Sequence, residues 1–315
     1  MEKSELLRNI INLPILSTGL AEGMLSGNFR SIFKGQGMEF DEARHYQAGD
    51  DIRSIDWNAS ARFGHPFVKM YREERELTIL LLIDVSPSMH RGNIARQETN
   101  SGRLGRYSLS PYEQALFAAS LIAFSAEHTD QRVGAFFFDK DIETVFPPRK
   151  GRKHIMALIM AALQYQNNIA SRRTHHGSNI ASALTGAQRL LKKRSLVVLI
   201  SDFFSINWEH EMGILCRKHD CLALRICGSQ EVPYPGLITL EDPETGVRID
   251  APAALDSFKE SWEAWHSERS TLWESQCKKS GVAFLDISTE ADAPSELIKF
   301  FGSRALGQYK HRKKR

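Results

Sequence analysis

Leu77-Thr78-Ile79-Leu80-Leu81-Leu82-Ile83-Asp84-Val85-Ser86-Pro87-Ser88 is the stretch that decides the fold. Its first seven residues are apolar or β-branched and do not alternate, which is the pattern of a strand buried on both faces of a parallel sheet, and they are too few to span a membrane. Ligands of open α/β sheets gather at the carboxyl ends of such strands. Asp84, Ser86 and Ser88 follow at alternate positions, so one carboxylate and two hydroxyls are expected to face the same way. Hard oxygen donors of this kind suit Mg²⁺ or Mn²⁺. Two of the three donors are neutral, so an ion held here keeps much of its charge and attracts a further anion, which a partner's acidic side chain supplies.

Further donors stand at two later strand and loop ends. Ser195 to Ile200 reads as a second apolar strand, followed by Ser201-Asp202, and Gly177-Ser178-Asn179 precedes a helical run over 180–191. Taken singly, each residue has a plain structural role: an Asp or Ser after a strand forms turns, and Ser178 is well placed to cap the helix. Taken together, Asp84, Ser86, Ser88, Ser178 and Asp202 resemble the metal-ion-dependent adhesion site of von Willebrand factor A-type domains, in which a second loop supplies a hydroxyl and a third an aspartate. Ser178 stands where Thr is commoner, and Asn179 where Asp is more usual. The resemblance implies an α/β, Rossmann-like fold: a mostly parallel sheet with helices on both faces.

Upstream, the chain carries Glu42-Ala43-Arg44-His45-Tyr46-Gln47-Ala48-Gly49-Asp50-Asp51-Ile52-Arg53-Ser54-Ile55-Asp56-Trp57. This motif and the domain after it, over about Gly35 to Ile226, resemble the domain of unknown function 58 family. Its members look like von Willebrand A domains with such an element before the first strand. The resemblance implies a companion of a MoxR-type AAA+ ATPase, acting as an adaptor in chaperone-like remodelling or metal-centre maturation. Physically, Glu39, Asp50, Asp51 and Asp56 interleave with Arg44, Arg53, Arg62 and Lys69, which favours local ion pairs over a field of one sign. Tyr46 and Trp57 are expected to anchor the segment by burying their rings. An ion-pair-laced β-extension is the first reading of this segment, a partner-docking surface the second, and an acid-rich hydrolytic site the third.

Composition fits a folded chain with a sizeable core: 315 residues, 42% hydrophobic and 25% charged, with a net charge of +3 that gives no reason to expect nucleic-acid binding. Cys216, Cys221, Cys227 and Cys277 form no C-x-x-C pair. With no signal-peptide pattern, they point to free thiols in a reduced, cytoplasmic setting. The apolar run from Leu6 to Leu25 is broken by Arg8, Pro14, Gly19, Glu22 and Gly23, so it is expected to be an amphipathic helix rather than a transmembrane one.

The expected organisation is an N-terminal helix and motif extension over 1–76, an A-type domain over 77–304 with a hairpin and long-helix insertion at about 229–280, and a basic tail over 305–315. Arg91 to Arg106 reads as a long loop beside the site. Ser110-Pro111-Tyr112-Glu113 is a capping box that opens a helix. Asp139 to Asp141 is expected to turn a strand at 132–138 into an antiparallel edge strand that stops at Pro147-Pro148. His175 and His176 precede the Ser178 loop, but neighbours in an extended segment point to opposite sides and cannot both face one ion. Trp262, Trp265 and Trp273 fall on one long helix, read as core packing. The tail Lys310 to Arg315 is suited to RNA or anionic lipid, though such ends are ordinarily solvated.

Two functions from different classes follow from this reading. One is a binding module in which a partner's carboxylate completes the coordination of the ion; the other is a metal-dependent hydrolase in which the same ion activates water. The chain has no G-x-S-x-G, H-E-x-x-H or P-loop pattern, which favours the binding module.

Overall fold

The computed structural model describes residues 38–47, 50–51, 55–73, 77–90, 109–168, 177–228, 236–241 and 246–305. They fall into two compact units that divide between Glu76 and Leu77.

In the larger unit, the opening apolar run forms β3 (Thr78–Asp84), and all its residues from Ile79 onward are buried. It pairs in parallel with β4 (Arg132–Phe138) on one side and β6 (Leu196–Ser201) on the other. Beyond β6 lie β7 (Asp220–Cys227) and β10 (Ala283–Ser288), both parallel, and beyond β4 lies the antiparallel edge strand β5 (Ile142–Arg149). The sheet is therefore mostly parallel, as the unalternating strands predict. Its two faces are covered by different helices. Leu80, Leu82, Val197 and Leu199 cluster with Ala183 and Leu184 of α5 (Ile180–Leu190), Met212 and Leu215 of α6 (Glu209–Lys218) and Trp273 of α7 (Asp256–Ser280). Helix α3 (Pro111–His128) packs on β3, β4, β6 and β7, flanked by α4 (Arg152–Asn168) and α8 (Ala293–Ala305). Each fully buried Leu or Ile contributes about 1.5–3 kcal/mol, so this two-sided burial holds β3 in the middle of the sheet.

The capping box is present: Ser110 Oγ accepts from Glu113 N at 3.1 Å, and Glu113 Oε2 accepts from Ser110 N at 2.9 Å. The edge strand departs from expectation, because β5 runs through Pro147 and Pro148 instead of stopping there. An edge strand can spare the N–H groups that proline lacks, and the pairing shifts register between Val133 and Ala135 to admit the extra residues. Gly134 sits at that shift. A Cβ there would meet Phe146 O at 2.8 Å and Pro148 N at 2.9 Å, so the close approach of the two backbones needs glycine. The expected hairpin after β7 is β8 (Leu237–Glu241) against β9 (Arg248–Pro252). The tryptophans of α7 do not share one role: Trp273 is core, whereas Trp265 is 46% exposed. On a helix this long, only the stripe facing the sheet is buried.

In the smaller unit, β1 (Met38–His45) pairs antiparallel with β2 (Phe67–Glu73), with a bulge between Phe40 and Glu42, and α1 (Trp57–Phe63) lies between them in sequence. Asp56 caps α1, accepting from Asn58 N at 3.0 Å and Ala59 N at 3.1 Å, and Gly64 ends it at φ 72°. Arg44 makes a two-pronged ion pair with Asp50, at 2.8 and 2.6 Å, and Asp50 also accepts from Gln47 N, which holds its carboxyl below the usual range. Local pairing is thus realised at Arg44 and Asp50. Trp57 contradicts its expected anchoring role: it is 69% exposed, because α1 is a two-turn helix with no buried residue for the ring to join. Tyr46 is half-buried, while Asp51 and Arg62 are exposed. The backbone of Glu39 pairs with that of Arg72. Gly49 and Arg53 lie outside the described residues, as do the N-terminal run, the loop from Arg91 to Arg106, His175 and His176, and the basic tail.

Candidate metal centre

The carboxyl edge of the sheet gathers the five predicted donors from three connections. Asp84 is the last residue of β3 rather than the first of the loop. The chain then turns into α2 (Pro87–His90), with Val85 N donating to Phe138 O at 2.8 Å and Met89 N to Ser86 O at 3.1 Å. The turn brings Ser86 Oγ and Ser88 Oγ within 3.0 Å of each other, and Ser86 N donates to Asp84 Oδ1 at 2.9 Å. On the second connection, Ser178 Oγ donates to Asp84 Oδ2 at 2.8 Å. Ser178 is therefore not the cap of α5. That role belongs to Asn179, whose Oδ1 accepts from Ser182 N and whose N–H donates to Asp139 O at 2.8 Å, tying the loop to the turn before β5. Asn179 thus serves as a helix cap, a role that Asp would fill as well.

The third connection leaves β6 through Ser201 and Asp202. Asp202 Oδ1 accepts from Phe204 N at 3.0 Å, and the Ser88 hydroxyl bonds its carboxyl. Phe203 adopts φ 56°, an unusual backbone state for a bulky residue. Its buried ring meets Trp208 and Trp273 edge-on at 5.3 and 5.4 Å, which holds the turn in place.

Ser201 is a site residue that the reading from sequence passed over. Its hydroxyl donates to Asp84 Oδ2 at 2.6 Å and accepts from Phe203 N at 3.0 Å, joining the first and third connections. The signal was present: Ile83 pairs with Ile200, so the next residue on each strand, Asp84 and Ser201, are neighbours.

Electrostatically, the site holds two buried carboxylates close enough to repel. Burial raises Asp84 above the ordinary carboxylate range against the hydrogen bonds from Ser201, Ser86 and Ser178. Asp202 is pushed up to about 7, first by burial and then by the charge of Asp84. Among the described residues no three His, Cys, Asp or Glu side chains cluster, so a cation here would rest on two carboxylates and three hydroxyls. That donor set fits a hard divalent ion, whose charge would relieve the repulsion, and does not fit a soft metal. All four cysteines are free, and burial raises Cys227 to about 11.

Beside Asp202 and Ser88 opens a cleft of about 220 Å³, lined also by Arg225, His266, Arg269 and Ser270. Arg225 is committed to a two-pronged pair with Asp286, at 2.8 and 2.6 Å, and to Ser270 Oγ. Arg269 donates to Phe203 O at 3.1 Å and stacks 3.2 Å from the centre of the Phe204 ring. His266 Nε2 is buried without a hydrogen-bond partner.

The family model described as "Protein of unknown function DUF58" matches residues 42–271, most of both units. The chain belongs to the DUF58 family. Relatives similar to it include the uncharacterized proteins Rv1480 of Mycobacterium tuberculosis and Mb1516 of Mycobacterium bovis, each 28% identical over 293 residues, covering 91% of this chain and 86% of theirs. The uncharacterized protein MAV169 of Mycobacterium avium is 29% identical over 136 residues, covering 41% of this chain and 78% of its own. Among solved structures, an uncharacterized membrane spanning protein from Vibrio fischeri aligns over 71% of this chain and 96% of its own at 12% identity, with a TM-score of 0.22. No helix among the described residues of this DUF58 chain is long and apolar enough to cross a membrane.

Proposed function

We propose that this DUF58 protein is a divalent-cation-dependent protein-binding module of the von Willebrand A type, acting as an adaptor for a MoxR-type AAA+ ATPase in chaperone-like remodelling or maturation. The observation that carries the reading is the joining of Asp84, Ser86, Ser88, Ser178 and Asp202 from three connections over one sheet edge. Mg²⁺ or Mn²⁺ would be held by the two carboxylates and the serine hydroxyls. When bound, it supplies a Lewis-acidic position for an incoming carboxylate oxygen. The chain's own residues orient that position: Ser178 and Ser201 fix the Asp84 carboxylate, Phe204 N and Ser88 fix that of Asp202, and the Phe203 turn sets the angle at which Asp202 enters.

Immobilised protein is expected to recover an AAA+ ATPase of the MoxR type from its native extract in Mg²⁺, and to lose it both in EDTA and in Asp84→Ala. Recovery that ignores EDTA and Asp84→Ala contradicts the adaptor.

A second reading, metal-dependent hydrolysis, is favoured by one observation: His266 lines the cleft beside Asp202, and burial lowers its pKa, which favours the neutral ring, the form able to accept a proton. Turnover of generic phosphoester or peptide substrates with Mn²⁺, abolished by both Asp84→Ala and His266→Ala, would establish it in place of the adaptor.

A further inference from the structure

Ser201 touches the candidate metal centre without being one of its five donors, and its bonds suit it to a separate task. It is the last residue of β6, fully buried, and lies beside Asp84 because Ile83 and Ile200 are paired in register. Its hydroxyl donates to Asp84 Oδ2 at 2.6 Å and accepts from Phe203 N at 3.0 Å. One side chain thus joins the carboxylate of the first connection to the turn that carries Asp202.

The two oxygens of Asp84 are occupied unequally. An ionised carboxylate accepts along about four lone-pair directions, two on each oxygen. Oδ2 accepts from the hydroxyls of Ser178, at 2.8 Å, and Ser201, at 2.6 Å, so both of its directions are taken. Oδ1 accepts from Ser86 N at 2.9 Å and keeps a direction for a cation. The Ser86 hydroxyl also lies against this carboxyl, but Ser88 Oγ at 3.0 Å gives its proton another acceptor. Asp84 is therefore arranged to meet a cation through one oxygen. Asp84 and Ser201 are both 0% exposed, so bulk water does not compete for Oδ2.

This asymmetry separates cations by size and coordination. Ca²⁺ gathers about six to eight oxygens at about 2.3–2.6 Å and readily takes both oxygens of a carboxylate, whereas Mg²⁺ demands an octahedron at about 2.0–2.1 Å, and Mn²⁺ shares the octahedral preference. With Oδ2 closed by two hydroxyls, Asp84 cannot chelate. Ser201 also ties Asp84 to Phe203 N, and the Asp202 carboxyl is held by Phe204 N at 3.0 Å, so the gap between the two carboxylates resists widening. Both effects disfavour the larger ion.

We infer that Ser201 sets the ion preference of this centre: by holding Asp84 to ligation through one oxygen and fixing its spacing from Asp202, it selects Mg²⁺ or Mn²⁺ over Ca²⁺. The inference rests on the proposed cation-dependent function and adds which ions serve it. Ser201 acts through Asp84 and is a positioning residue.

The test compares the full chain with Ser201→Ala and Ser201→Thr. Electron paramagnetic resonance reads free Mn²⁺ during titration, competition by Ca²⁺ gives the affinity ratio, and thermal melting in EDTA shows which proteins are folded. The parent is expected to bind Mn²⁺ about tenfold or more tighter than Ca²⁺. Ser201→Ala opens one direction on Oδ2 and releases the turn. Its Mn²⁺ affinity is expected to fall about 10–100-fold, the usual cost of losing a group that orients a metal ligand, and its Ca²⁺ affinity to fall clearly less, so that the ratio narrows. Ser201→Thr keeps the hydroxyl and is expected to keep the ratio. A role in folding alone would weaken both ions alike. Equal binding of Ca²⁺ and Mn²⁺ by the parent, the parent's ratio in a folded Ser201→Ala protein, or a collapsed ratio in a folded Ser201→Thr protein overturns the role of Ser201 and leaves the cation-dependent module standing. A parent that binds neither ion overturns the module and this inference with it.

Discussion

An Asp84→Asn variant is expected to melt at a higher temperature than the parent protein in EDTA and to gain nothing from Mn²⁺, whereas the parent gains substantially. Without a cation, the parent must bury two carboxylates that repel, and burial raises both above the ordinary range. Asparagine keeps the shape and removes one charge. The hydroxyls of Ser178 and Ser201, which donate to Asp84, can rotate to accept from the new amide, so few partners are orphaned. The parent's gain follows from mass action: a ligand present at 100 times its Kd stabilises by about 2.7 kcal/mol. For a chain of 315 residues that is on the order of 4 °C in Tm, read by scanning calorimetry.

The same charges give the sign of the pH dependence in EDTA. Asp202 is held up to about 7 when folded, against an ordinary 3.8, so between those values the folded protein keeps a proton that the unfolded chain releases. Metal-free stability is therefore highest below about pH 4 as far as this group is concerned, and falls as pH rises towards 7. Asp84→Asn removes the repulsion and flattens that fall, and saturating Mn²⁺ removes it too. A parent protein whose Tm in EDTA is insensitive to Asp84→Asn across this window would contradict the charge repulsion on which the metal reading stands.

Trp208→Ala is expected to cost more stability than a change at any of the exposed aromatics, about 3–5 kcal/mol, and to weaken Mn²⁺ binding without touching a donor. Trp208 is fully buried, with its ring edge-on to Phe203. Phe203 holds φ 56° directly after Asp202, a backbone state that persists only while its packing persists. Removing Trp208 leaves a cavity under that turn, so the Asp202 carboxylate loses its fixed direction. Trp265→Ala, at a half-exposed position, is the comparison and should cost clearly less, about 1 kcal/mol. A Trp208→Ala protein that melts like the parent and binds Mn²⁺ equally well would show that the turn does not depend on this packing.

Much of this was legible before any coordinates. The unalternating run of β3 announced a strand covered on both faces, and strand-end positions placed Asp84 and Asp202 on one edge, because carboxyl ends of parallel strands point the same way. What the sequence hid depends on neighbours far along the chain. The role of Ser201 follows from the register of β3 against β6. The passage of β5 through two prolines depends on Gly134 in another strand and on a shift in pairing. The exposure of Trp57 could not be read from its ring, since a hydrophobic residue is buried only where its helix has a face to bury. Ser178 and Asn179 were both capping residues by type, and only the geometry decided which one caps and which one turns to Asp84. The cleft residues His266 and Arg269 come from α7, more than sixty residues past Asp202, and no local pattern ties them to the site.

The most direct test of the central claim is anomalous diffraction from crystals grown in MnCl₂. The account expects one strong manganese peak among Asp84, Ser86, Ser88, Ser178 and Asp202, at metal–oxygen distances of about 2.0–2.6 Å, with a coordination position open towards the cleft. Manganese bound elsewhere, or none at this edge with the Asp84 and Asp202 side chains ordered and facing apart, would contradict it.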